Sequence, residues 1–123
     1  MKSHGVPMVW TWLHEMEFRN AIRLQVFRKQ LDPQDIAQIL HRQSLGLENG
    51  VYLPISPAIA EVNREVERLS GLYTKNLGTR TLDILHVSHA LVLGIREFLT
   101  FDRRQADLAK AAGLKVPVLL AGA

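Results

Sequence analysis

The segment "TLDILHVSHALVLG", residues 81–94, constrains this chain more than any other. It reads as a helix stopped by Gly94, and it is apolar on nearly every side. Such a helix has no face to give to water, so the remaining elements must cover it. Those elements alternate. "PMVWTWL" (7–13) is β-branched and aromatic and reads as a strand. "HEMEFRNAIRLQVFRKQ" (14–30) reads as a helix, with Leu13, Met16, Ala21, Leu24 and Phe27 at roughly helical spacing. Asp32 and Pro33 supply a cap and a first helical position for a second helix, and Gly50 its stop. Residues 51–55 read as a short strand, held to an edge by Pro54. Ser56-Pro57 repeats the cap-then-Pro signal before a helix whose face is Ile59, Val62, Val66, Leu69 and Tyr73, and 75–80 reads as a loop. Beyond the apolar helix come a strand (97–101), a helix (102–113) stopped by Gly113, and a last strand (114–120). Strands alternating with helices indicate an α/β fold with a mostly parallel sheet. A length of 123 residues suits one domain, 1–123, around one core.

Composition narrows the function classes. There is no cysteine, so neither a disulfide framework nor a thiolate metal site can form, which fits a cytoplasmic protein. No run of 18 apolar residues is present, and the N-terminus lacks the apolar core of a signal peptide. The net charge of +3 permits nucleic acid as a partner without requiring it.

Ligands of open α/β sheets bind off the carboxyl ends of the strands, and Asp102 stands at such an end, after "FLTF". Asp102 with Gln105 three residues on also reads as a capping box. The two roles are compatible, because a cap uses one carboxylate oxygen. Asp83 lies in the first turn of the apolar helix, where the helix dipole favours an acid. Its neighbours Leu82, Ile84 and Leu85 make a carboxylate costly there unless it is paired or bound to a cation. Glu17 shares a stripe with Ala21 and Leu24 and either faces inward or pairs with Arg19 or Arg23 on the surface; Glu15 sits on a different face. Other chemistries fail. "HEMEF" lacks the second His of a zinc-protease helix, because Phe18 stands there. His86 and His89 share a face but read as core or hydrogen-bonded histidines, and no glycine-rich phosphate loop or G-x-S-x-G is present.

The stretch "GTRTLDILHVSHALVLGIREFLTFDRRQADLAKAAGLKV" closely resembles the C-terminal half of PIN-domain proteins, and among them the VapC-like toxin ribonucleases. Asp83, Thr100, Asp102, Ala109, Gly113 and Leu114 fill that pattern, and Glu17, Asn20 and Ala21 match the family's E-x-x-N-A helix. The resemblance implies a metal-dependent endoribonuclease of the toxin–antitoxin type, using Mg²⁺ or Mn²⁺ on Glu17, Asp83 and Asp102. Thr100 and Asn20 would support those acids, and Arg80, Arg103 and Arg104 would meet RNA phosphates. It also implies a small antitoxin partner and a homodimer. PIN domains open with a strand ending in Asp, and no residue before Glu17 is an Asp. The expectation is therefore a three-layer PIN-like fold whose short sheet lacks its central first strand, on a chain that starts late and has little or no nuclease activity. The alternative is a non-catalytic PIN remnant that binds a protein partner or RNA.

Overall fold

The computed structural model describes residues 8–100 and 102–117. The chain divides into two compact units, Met1–Ser56 and Pro57–Ala123. Among the described residues, no helix is long and apolar enough to cross a membrane.

The first unit contains β1 (Met8–Trp10), α1 (Trp12–Phe27), α2 (Ile36–Glu48) and β2 (Tyr52–Pro54). The strand expected over 7–13 gives way early because Thr11 caps α1. The Thr11 N–H donates to His14 Nδ1 at 2.9 Å, and the His14 N–H donates to Thr11 Oγ1 at 3.4 Å. This is a capping box with His where Glu or Gln usually stands, which hides it from a sequence reading. The expected stripe on α1 is corrected too: Met16, Leu24 and Phe27 are exposed, and Leu13 and Ile22 are the buried apolar residues. Apolar residues are spread around this helix, so spacing alone does not select one face. Pro33 opens a single 3₁₀ turn, Pro33–Asp35, and α2 begins only at Ile36; the Asp32 side chain makes no capping bond.

β1 and β2 pair in parallel, Met8 with Tyr52, Val9 with Leu53 and Trp10 with Pro54. Pro54 has no N–H to give, and the ladder continues from the Ile55 N–H to the Trp10 carbonyl at 3.1 Å. The Tyr52 ring lies against Gly46 of α2. A Cβ at Gly46 would stand 2.5 Å from that ring, so a glycine is needed at this approach.

The second unit contains α3 (Ile59–Leu77), α4 (Thr81–Val92) and α5 (Arg103–Ala111). Ser56-Pro57 does not start α3: the cap position is Ala58, with no side-chain bond. The helix runs into the expected loop and ends at Gly78, whose φ of 64° is left-handed. The apolar helix of the sequence is α4, at the centre of this unit. Its Ile84, Val87 and Ala90 pack with Leu69 of α3, Leu108 and Ala109 of α5, and Phe98 and Leu114. The strands expected at 97–101 and 114–120 contract, among the described residues, to isolated bridge positions at Glu97, Thr100 and Lys115, with Glu97 paired in parallel to Lys115. The Phe98 N–H donates to the Lys115 carbonyl at 2.7 Å, and the Lys115 N–H donates to the Arg96 carbonyl at 2.8 Å. Phe101 and residues 118–120 lie outside the described residues. The α/β class with parallel pairing is as the sequence indicates.

Candidate functional site

Two helices of the second unit carry an acid at or just inside their N-terminus. Asp102 caps α5: its Oδ1 accepts from the backbone N–H groups of Arg104 (2.8 Å) and Gln105 (3.2 Å). Its other oxygen, Oδ2, accepts from an Arg80 Nη at 2.9 Å. The cap thus uses one oxygen and leaves the second for other chemistry. The capping box expected with Gln105 does not close, because another group satisfies the Asp102 amide. The Asp102 N–H donates to Thr100 Oγ1 at 3.0 Å, which frees the Gln105 side chain.

That side chain turns to Asp83, in the first turn of α4, with Gln105 Nε2 3.4 Å from Asp83 Oδ1. Asp83 is 3% exposed. Its Oδ2 reaches back to the Arg80 N–H at 3.2 Å and meets Arg80 Nε at 3.5 Å. All three contacts are long for hydrogen bonds, so a nearly buried carboxylate is only weakly compensated. The Asp83 and Asp102 carboxylates therefore touch one guanidinium, at 3.5 and 2.9 Å. The backbone N–H of Gln105, then that of Arg104 and the Arg80 charge, hold Asp102 below its ordinary 3.8, against the upward push of burial. Arg103 and Arg104 have exposed side chains; of the two, Arg104 adds its backbone N–H to the cap.

The structure thus brings together Asp83, Thr100, Asp102 and Arg80 of the expected residues, and adds Gln105. Glu17 and Asn20 belong to the first unit, on α1, where Glu17 is half-buried and Asn20 exposed. The acid with the most developed surroundings there is Glu15. It accepts from Trp10 Nε1 (3.0 Å), Arg19 Nε (2.6 Å) and Gln43 Nε2 (2.7 Å). Burial works to raise its pKa, but these three hydrogen bonds outweigh it and set Glu15 below its ordinary 4.5. Arg19, offered by the sequence as a partner for Glu17, is therefore bonded to Glu15. The i, i+4 spacing of Glu15 and Arg19 announces one of these bonds, but local spacing says nothing of Gln43, which is 28 residues from Glu15.

Among the described residues, no three His, Cys, Asp or Glu side chains stand close enough to hold a metal ion. The pair Asp83 and Asp102 still offers a donor set suited to Mg²⁺, which one or two carboxylates commonly hold alongside water and substrate phosphate. The poor compensation of Asp83 is consistent with a cation there. His86 and His89 of α4 are buried, and His89 Nδ1 lies 2.7 Å from the Leu85 carbonyl.

The family model described as PIN domain matches residues 13–111. No curated protein and no solved structure gives a match. The matched span runs from the start of α1 to the end of α5 and contains Glu17, Asp83 and Asp102. It covers well over half of the sequence and carries a nuclease-type function in general terms. This chain belongs to the PIN-domain family.

Proposed function

We propose that the chain is a metal-dependent endoribonuclease of the VapC-like, toxin–antitoxin kind, acting in the cytoplasm. The observation that supports this most is the convergence of Asp83 and Asp102, which are far apart in sequence, on a single cationic group. In this reading Asp83 and Asp102 hold Mg²⁺ or Mn²⁺, with water and substrate phosphate as the remaining ligands. Such an ion would activate water and offset the charge that develops on a phosphodiester. The chain's own groups do the rest. Thr100 fixes the Asp102 backbone through its hydroxyl, and the α5 cap fixes one oxygen of Asp102 so that the other has a set direction. Gln105 orients Asp83. The exposed Arg103 and Arg104 directly follow Asp102, where they would meet RNA phosphates. A small antitoxin and a second copy of the chain are the expected protein partners.

Cleavage is expected to be slow, because two acids rather than a full cluster meet among the described residues. The test is cleavage of a single-stranded RNA pool with Mn²⁺ and with chelator. Metal-dependent cutting that disappears in Asp83→Asn and Asp102→Asn supports the proposal. The same sparse acid set favours a second reading, a non-catalytic remnant that binds RNA or a protein partner. RNA binding with no cutting above the Asp83→Asn background would select it.

A further inference from the structure

We infer that Arg80 is the built-in counter-ion of the two acids: it holds Asp83 and Asp102 until a divalent cation takes them, and must swing away for that cation to bind. This rests on the metal reading above and adds to it a residue that works against the metal. The geometry carries the inference. One guanidinium meets Asp102 Oδ2 through Nη at 2.9 Å and Asp83 Oδ2 through Nε at 3.5 Å. The planar fork of arginine can reach two carboxylates at once, which the point charge of lysine cannot do as well. Two carboxylates brought together, one of them nearly buried, need a cation between them.

Arg80 is also placed to leave. Its backbone is fixed as the residue before α4, with its N–H on Asp83, while its side chain is 60% exposed. Its pair with Asp102 is exposed and weak, so the guanidinium leaves that acid at small cost, while the cost of leaving the buried Asp83 is offset when the divalent cation takes its place. Gln105 and the α5 cap do not depend on it, so the acids keep their positions when it goes.

A counter-ion that competes with a metal has opposite effects on two measurements. Losing it lowers the stability of the metal-free protein and raises affinity for the metal. An arginine with a merely structural role would lower both. The experiment uses the full chain and Mn²⁺ alone, with affinity measured by calorimetry and melting followed with and without the ion. Arg80→Gln should bind Mn²⁺ roughly three- to tenfold more tightly, the size expected from losing exposed ion pairs. It should melt lower than the parent without metal and no lower in saturating Mn²⁺. Arg103→Gln removes a neighbouring charge of the same sign and should change affinity less than about twofold, given screening at the surface. Arg80→Lys keeps the charge, breaks the fork, and should fall between the parent and Arg80→Gln; it carries the test if Arg80→Gln does not fold. If neither Arg80 variant binds Mn²⁺ more tightly while Asp83→Asn abolishes binding, the counter-ion role is wrong and the metal reading stands. If neither the parent nor the Arg80 variants bind Mn²⁺, or Asp83→Asn binds as the parent does, both are wrong.

Discussion

The two units of this protein are stabilised by different physics. The second encloses an apolar cluster in which Leu69, Val87, Leu108 and Ala109 have no exposed surface. The buried apolar residues of the first, among those described, are Leu13 and Ile22, while Phe27 is 81% exposed and Trp12, Met16 and Leu24 are exposed as well. Its most connected feature is polar and aromatic. Glu15 ties β1, α1 and α2 together through Trp10, Arg19 and Gln43, and Trp10 packs on His14, Phe18 and Tyr52. Burial is non-directional and scales with area, whereas a hydrogen-bonded carboxylate depends on a few distances and on charge. The first unit should therefore be sensitive to pH and to single polar substitutions, and the second to cavities.

The largest expected effect tests the apolar side of that contrast. Leu69→Ala should cost about 2–5 kcal/mol, as for a fully buried leucine. Both tryptophans, Trp10 and Trp12, lie in the first unit, so their fluorescence follows that unit while far-UV circular dichroism follows both. A denaturant midpoint that drops in the dichroism but not in the fluorescence would sharpen the comparison. Equal drops would mean that the units unfold together. An intermediate effect is expected at Glu15, where Glu15→Ala should cost about 1–2 kcal/mol, because it strips the buried Gln43 amide and the Trp10 N–H of their acceptor. The folded pKa of Glu15 is depressed. Its stabilisation is thus fully present above the ordinary carboxylate value of 4.5 and is lost as pH falls through the lower folded value. Fluorescence-monitored unfolding of parent and variant should differ at pH 7 and converge in strong acid. A difference that persists there would assign the effect to packing rather than charge. The smallest effect is a control on α3. Arg68 and Glu65 form an exposed pair at 2.7 Å. Arg68→Ala should shift the midpoint by no more than about 0.5 kcal/mol, and a larger loss would show that surface charge matters in the second unit too.

The site was legible where its signals were local. Asp102 stands where a strand-like segment gives way to a helix, and its cap, with one oxygen left over for Arg80, follows from that position. Asp83 stood out as an acid in an apolar helix, and its burial is what made it costly and therefore notable. Gln105 departs from the capping-box pattern because that pattern describes which residues can bond, not which competitor is nearer; Thr100 accepts from the amide that Gln105 would have used. The role of Glu15 is not legible in the sequence because its three donors come from β1, α1 and α2, and spacing along one helix says nothing about the other two.

The sequence alone determined the class of fold, the central apolar helix and the glycine stops, and it set Asp83 and Asp102 apart as acids at helix starts. These depend on side-chain periodicity and on backbone preferences that act within a few residues. Only the tertiary structure decided that Asp83 and Asp102 share Arg80, that Gln105 turns to Asp83, and that Glu15 is the knot of the first unit. Those pairings join residues far apart in the chain, and they form only because packing brings distant elements within a hydrogen bond's reach.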